Sequence, residues 1–174
     1  MISLLGACAP RDAEPPPRPV ISAPIFRDPA AATAGIPEQN RRGTITALER
    51  LTSEIDADTS RLTALRHTTD LGGGATGLVT VWRADRILTR VHVAGTGAGF
   101  TSTDDYWMRD TVLIAARLVT TRTDQPPAED RVWFRNGALY QWIDAHGEQL
   151  GTASRSTTYE LEMLRARLAR LLAP

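Results

Sequence analysis

The residues of this chain whose types could do chemistry are three histidines, one cysteine and a pair of adjacent aspartates. The histidines, His67, His92 and His146, lack the spacing to Cys, Asp or Glu that metal sites show. Asp104 and Asp105 lie in a strand-like stretch, where neighbouring side chains point to opposite faces, so the two carboxylates cannot act together as an acid and a base. We therefore predict no catalytic residue, no metal and no cofactor.

His92 leaves one alternative open. On a sheet it could approach an aspartate of a neighbouring strand, and a histidine held by an aspartate is the general base of many hydrolases. The alternative function is a small hydrolase of the bacterial envelope that uses His92 with an Asp partner.

Several kinds of site are excluded by the residue types that the chain lacks. Every basic residue is an arginine, which excludes a Schiff-base lysine and a Gly-Lys-Ser/Thr phosphate loop. The glycines at Gly95, Gly97 and Gly99 do not have the Gly-x-Gly-x-x-Gly spacing of a dinucleotide site, because Phe100 stands where the third glycine is needed. The formal net charge of zero and a pI near 6.8 argue against nucleic acid as a partner.

A short sequence motif that contains a tryptophan occurs three times in the middle of the chain. The tryptophans Trp82, Trp107 and Trp133 lie 25 and 26 residues apart, and each is followed three residues later by Asp or Asn and then by an aliphatic strand. A repeat of this length indicates one supersecondary unit per copy. The sequence therefore predicts three β-hairpins over residues 77–147.

The turn residues of the three hairpins differ in quality. Asn136-Gly137 predicts a type I′ turn, because both residues accept positive φ at little cost. Asp85-Arg86 and Asp110-Thr111 occupy the same place with less suitable residues, so these two hairpins could use longer loops. If all turns have two residues, the cross-strand pairs are Trp82 with Thr89, Trp107 with Ile114 and Trp133 with Tyr140.

Aromatic and guanidinium side chains gather on one face of these hairpins. A surface of this kind suits a protein, peptide or glycan partner through stacking and burial. The candidate binding surface consists of Trp82, Trp107, Arg109, Trp133, Arg135, Tyr140 and Trp142. The alternative is that the tryptophans pack under a helix as part of the core.

The single cysteine lies near the start of the chain. Leu5-Gly6-Ala7-Cys8 resembles the lipobox of bacterial lipoprotein signal peptides, in which an aliphatic residue and two small residues precede the cysteine that is lipidated. Cys8 has no second cysteine for an internal disulfide, which favours lipid attachment. Residues 1–8 are expected to be a truncated signal-like segment that anchors the protein to a membrane through Cys8.

A proline-rich stretch follows the cysteine. Residues 9–42 contain eight of the eleven prolines, so they are expected to form a disordered tether. The predicted location is the bacterial cell envelope, on the periplasm-facing outer membrane or another extracytoplasmic face. The alternative is a cytoplasmic protein with an unmodified tail.

Two helices flank the hairpins in the predicted order. Residues 43–71 form a long helix that ends at Gly72, and residues 156–172 form a second helix. The first helix carries a heptad-like seam, formed by Leu48, Leu51, Ile55, Asp58, Leu62 and Leu65. This seam could pack on the sheet, pack on the second helix, or join copies of the chain as a coiled coil.

The predicted fold class is α+β. A single domain over residues 43–174 would hold an antiparallel meander of about six strands, with both helices on one face to cover its apolar side.

The hairpin repeat resembles MORN-like proteins and uncharacterised secreted bacterial lipoproteins, over residues 81–144. This resemblance implies a meander and an envelope location, and it implies no activity. The predicted function is that of a lipid-tethered envelope protein, a binding or scaffolding module without catalysis; a homo-oligomeric structural protein is a further alternative.

Overall fold

The computed structural model describes residues 38–150 and 155–173. The segment that contains Cys8 and the tether up to residue 37 lie outside these residues. Helix α1 spans Glu38–Asp58 and helix α2 spans Arg155–Leu172, and a short 3-10 turn at Thr59–Arg61 follows α1. The strands are β1 (Thr63–Gly72), β2 (Ala75–Ala84), β3 (Ile87–Gly97), β4 (Phe100–Arg109), β5 (Val112–Arg122), β6 (Ala128–Arg135), β7 (Ala138–Ile143) and β8 (Gln149–Leu150).

The strands form one antiparallel sheet in which each strand pairs with the next along the chain, from β1 to β8. The predicted α+β class, a meander between an N-terminal and a C-terminal helix, is confirmed. The predicted number of about six strands is wrong, because β1 and β8 add one strand at each edge of the sheet.

The first helix is shorter than predicted at its C-terminal end and begins five residues earlier, at Glu38. Residues 63–71, for which the sequence predicts helix, form β1 together with Gly72. Three of these residues are threonines, whose branched Cβ favours strands. Gly72, Gly73 and Gly74 have φ values of 88°, 61° and 77° and turn the chain back onto β2 instead of ending a helix.

The heptad-like seam is not a continuous helical stripe. Leu48, Leu51 and Ile55 lie on α1 and pack against the sheet. Leu62 and Leu65 lie beyond the end of α1, and Leu65 is a half-exposed residue of β1. The helical part of the seam is thus used inside the molecule, and a coiled coil over its predicted length does not form.

The two helices cover opposite faces of the sheet, whereas the sequence predicted both on one face. Leu161, Leu164 and Leu168 of α2 pack on the face that contains Tyr106 and Phe134. The other face packs against α1 through a smaller cluster, made of Leu48, Trp107, Ile114, Ala115 and Trp133. The reason lies in β4, where five consecutive residues are buried, so both faces of the central sheet need cover.

The three repeats share one pattern of strand pairing. Each turn has two residues, between Ala84 and Ile87, between Arg109 and Val112, and between Arg135 and Ala138, so no hairpin uses a longer loop. Each second strand then has a β-bulge, which shifts the pairing by one residue. The observed pairs are Trp82 with Arg90, Trp107 with Ala115 and Trp133 with Gln141, and the predicted pairs are therefore wrong by one position.

Neither α1 nor α2, the helices of the described residues, is both long and apolar enough to cross a bilayer.

Candidate functional site

The seven residues of the candidate binding surface do not form one open face. Trp107 and Trp133 are only 8% and 5% exposed and lie in the cluster under α1. Tyr140 is buried, and Trp142 belongs to the core on the α2 face. The alternative, in which tryptophans pack under a helix, is confirmed for Trp107 and Trp133.

The remaining residues of that set are more accessible. Trp82 is half-buried, and Arg109 and Arg135 are exposed at the hairpin turns. These two arginines are next to Asp110 and Asn136, which have positive φ values of 52°. The hairpin turns therefore expose arginine side chains, but the tryptophans predicted to form a binding surface with them are buried or half-buried.

A polar cluster links α1 to the sheet, and we call its residues Asp56, Arg90, His92, Asp105 and Trp107 the Arg90 cluster. Arg90 contacts two carboxylates, through Nη1 to Asp56 at 3.1 Å and through Nη2 to Asp105 at 2.8 Å. The indole Nε1 of Trp107 donates a hydrogen bond to Oδ1 of Asp56 at 2.7 Å. The cluster therefore ties the last turn of α1 to β3 and β4.

Arg90 lies between two aromatic rings. Its Cζ is 5.0 Å from the ring centroid of Trp82 and 5.7 Å from that of Trp107. Cation–π contacts at these distances stabilise a guanidinium group that has lost part of its hydration. Sequence reasoning missed Arg90 because the bulge of β3, which brings it opposite Trp82, was not foreseen.

His92 does contact an aspartate. Its Nδ1 lies 2.8 Å from Oδ1 of Asp105 on the neighbouring strand. Burial would raise the pKa of Asp105, but the hydrogen bonds from His92 and Arg90 outweigh it and hold that pKa below the usual value. Asp104 points to the other face, as predicted, so the two adjacent carboxylates do not converge.

A cleft of about 770 Å³ lies on the other face of the sheet, between α2 and the strands. Its apolar walls come from both layers, and they include Leu71, Phe100, Leu118, Trp142, Met163, Leu164 and Leu171. Its charged residues are Arg122, Asp130, Glu160, Arg167 and Arg170. A space of this size with mixed lining is typical of small-molecule sites.

One charged residue of the cleft is fixed by a buried carboxylate. Arg167 of α2 forms an ion pair with Asp104 of β4, which is 1% exposed. Burial raises the pKa of Asp104 from 3.8 to about 6, an effect that the positive charge of Arg167 only partly offsets. Burial also raises the pKa of Tyr106, next in the strand. Arg167 is thus held in place by a carboxylate that takes up a proton near pH 6.

The acidic residues of the cleft lie near the N-terminal half of α2. Burial raises the pKa of Asp130 above its usual value, and the negative charges of Asp144 and Glu160 add to the effect. Asp130 and Glu160 are therefore close enough to repel each other electrostatically. Asp130 and Asp104 both pair with Leu118, from opposite sides of β5, so Asp130 lies in the same row of the sheet as the carboxylate that holds Arg167.

Two glycines make room for Leu71, a residue that lines the cleft. Gly77 and Gly95 face each other across β2 and β3. A Cβ on Gly77 would lie 2.9 Å from Cδ1 of Leu71, and a Cβ on Gly95 would lie 2.8 Å from the same atom. Glycine at both positions lets Leu71 lie close to the sheet, where it lines the cleft.

The described ranges contain no group of three or more His, Cys, Asp or Glu side chains that could hold a metal ion. No protein-family model matches the chain, and neither a curated protein nor a solved structure matches it.

Proposed function

We propose that this chain is a ligand-binding module of the bacterial cell envelope, and that its ligand binds in the cleft between α2 and the sheet. The observation that carries this proposal is the cleft itself, which combines about 770 Å³ of space with apolar walls and five charged side chains. Small-molecule sites have the same combination of apolar lining and a few polar groups that orient the ligand.

The cleft is better suited to binding than the tryptophan face for a physical reason. Trp107 and Trp133 are already covered by α1, and Trp107 also donates its indole N–H to Asp56. A partner that stacked on these rings would have to displace α1 and break these contacts. A ligand in the cleft would leave α1 and these contacts in place.

A probe and a blocking variant test this proposal. N-phenyl-1-naphthylamine is a neutral apolar compound whose fluorescence rises when it leaves water, and we expect it to bind the native protein. Ala128 is exposed and lines the cleft, so Ala128→Trp should fill part of the space and abolish the fluorescence increase.

The matched control is Ala94→Trp. Ala94 is also an exposed strand residue, but it lies on the α1 face, in register with Leu78 and Thr103. This variant should bind the probe as the native protein does. Equal loss in both variants, or no loss in Ala128→Trp, would rule out the cleft as the site.

The proposed location rests on the sequence. Leu5-Gly6-Ala7-Cys8 resembles a lipobox, and the proline-rich stretch after it has the composition of a tether that would hold the domain away from a membrane. We expect the intact mass of the protein, made in a bacterium with its upstream coding sequence, to show cleavage before Cys8 and added acyl chains. A Cys8→Ser variant should lack the acyl mass, and an unmodified native chain that starts at Met1 would contradict the anchor.

The likeness to MORN-like repeats stays a prediction.

A second candidate function is hydrolysis, and the observation that favours it is the 2.8 Å contact between His92 Nδ1 and Asp105. An aspartate on Nδ1 orients the imidazole so that Nε2 can accept a proton. Thr80 pairs with His92 across β2 and β3 and supplies a neighbouring hydroxyl. This candidate predicts turnover of p-nitrophenyl acetate that disappears in His92→Ala and in Asp105→Asn; unchanged turnover in either variant would exclude it.

A further inference from the structure

We propose that the ligand of the cleft is an anionic amphiphile, with a carboxylate or phosphate head bound by Arg122, Arg167 and Arg170 and an apolar body along the walls. This inference rests on the proposed function, because it names the ligand class of the same cleft.

The three arginines all line the cleft. Arg122 is the last residue of β5, and Arg167 and Arg170 lie in the last two turns of α2. The acidic Glu160 is ten residues before Arg170 on the same helix, which corresponds to about 15 Å along the helix axis. Along α2, the arginines that line the cleft therefore lie toward the C-terminal end and Glu160 lies toward the N-terminal end.

Two of the three guanidinium groups are available to a ligand. Arg167 is paired with Asp104, while Arg122 and Arg170 are exposed and form no ion pair within the described part of the chain. The C-terminal end of α2 adds a negative partial charge of only about half an elementary charge. The guanidinium groups of Arg122 and Arg170 can therefore bind an anion in the cleft without first breaking an ion pair.

The residue type also points to the head group. Arginine presents a planar fork of N–H donors that matches the two oxygens of a carboxylate or phosphate, whereas a cation or a neutral alcohol cannot accept these bonds in the same way. An anion between Arg122 and Arg170 would bridge β5 and α2. The head group would therefore be held by both layers of the cleft.

Apolar side chains begin directly beside the arginines. Phe100 is the cross-strand partner of Arg122, and Leu171 follows Arg170 in α2. Leu118 and Leu164 continue this surface along the cleft. A head group at the arginines would therefore place an attached hydrocarbon chain against apolar walls, which removes it from water.

Displacement of bound N-phenyl-1-naphthylamine tests the ligand class. The competitors are dodecanoate, dodecyl phosphate, dodecanol and dodecyltrimethylammonium, which share a chain length and differ in head group, each used below its micelle concentration. We expect the two anions to displace the probe at roughly tenfold lower concentration than the alcohol, since charge-assisted hydrogen bonds are stronger than neutral ones. The cation should be the weakest competitor.

The comparison of the two anions distinguishes a fatty-acid-like ligand from a phospholipid-like one. Calorimetric titration with dodecanoate gives the affinity without the probe. The double variant Arg122→Gln with Arg170→Gln should lose the preference for anions and keep probe binding. Arg109→Gln with Arg135→Gln removes the same charge at the opposite end of the sheet and should keep the preference.

The outcomes separate this inference from the proposed function. If the probe binds and Ala128→Trp blocks it, but the anions and dodecanol compete equally, the anionic ligand is wrong and the cleft remains the site. An anion preference that survives in the Arg122/Arg170 double variant also overturns the inference. If neither the probe nor dodecanoate binds the native protein, both proposals fail.

Discussion

At the scale of single residues, Asp104 shows how burial and an ion pair compete. It is buried in the sheet and paired with Arg167, yet burial raises its pKa from 3.8 to about 6. The loss of hydration therefore outweighs the attraction of one guanidinium group, which is the general result for buried ion pairs. The ionised carboxylate is tolerated at neutral pH at some cost in stability.

Because burial raises the pKa of Asp104, replacing this residue should change how the stability of the protein depends on pH. A carboxyl whose pKa is higher in the folded protein than in the unfolded chain stabilises the fold fully below pH 3.8, and this contribution is lost as the pH rises through about 6. Asp104→Asn is neutral at every pH, so its free energy of unfolding relative to the native protein should increase by up to roughly 3 kcal/mol between pH 4 and pH 7. Urea unfolding of both proteins at several pH values measures this difference. A difference that does not change with pH would show that Asp104 has an ordinary pKa.

At the scale of secondary-structure elements, the second and third hairpins show how one turn geometry is reached with different residues. Asn136 and Gly137 have φ values of 52° and 77°, and Asp110 and Thr111 have values of 52° and 64°. Threonine is branched at Cβ, so it adopts positive φ only with strain, whereas glycine adopts it freely. The second hairpin is therefore held in its turn by the rest of the sheet.

Thr111→Gly should relieve this strain. We expect the free energy of unfolding to rise by about 1 kcal/mol, the usual order of such backbone strain. Chemical denaturation measures the change. The reverse substitution in the third hairpin, Gly137→Thr, should lower stability by at least as much, and a loss of stability in Thr111→Gly would contradict the assigned turn geometry.

The attachment of α1 to the sheet gives a second prediction at this scale. Trp107 and Trp133 are buried under α1, so replacing either by alanine should cost about 3–5 kcal/mol of stability, as for other buried aromatic residues. Trp82→Ala is the matched control, because this half-buried ring contacts Arg90 and the edge of His92 outside the cluster under α1 and should contribute about 1 kcal/mol. Thermal unfolding of the three variants measures whether Trp107→Ala and Trp133→Ala lose more stability than Trp82→Ala. Near-native stability of Trp107→Ala would show that its ring is not part of the core.

At the scale of the whole molecule, the sequence predicted what local chemistry determines. The tryptophan repeat, the Asn136-Gly137 turn and the helix over residues 156–172 follow from spacing and turn chemistry, and all three are present. The predictions that were wrong depend on contacts between distant parts of the chain. The stretch 63–72 has leucines and threonines that suit a helix or a strand, and pairing with β2 decides between them.

The candidate site depends even more on long-range geometry. The bulges that move Arg90 opposite Trp82 have no sequence signal that hydrophobic alternation could detect. The cleft exists because α2 crosses the face of the sheet opposite to α1, and the pairing of Asp104 with Arg167 joins residues 63 positions apart in the chain. Patterns in single segments do not contain this information, so the cleft could not be predicted from them.

The four tryptophans of the chain offer a direct test of the central claim, that ligands bind in the cleft on the α2 face. Trp142 lines the cleft, whereas Trp107 and Trp133 lie under α1 and Trp82 stacks on Arg90. The measurement is a titration of the 15N-labelled protein with N-phenyl-1-naphthylamine, followed by the four indole N–H signals in NMR spectra and assigned with Trp→Phe variants. We expect the Trp142 signal to shift while the other three stay in place. Shifts of the other three with an unmoved Trp142 signal, or no shift at saturating probe, would contradict it.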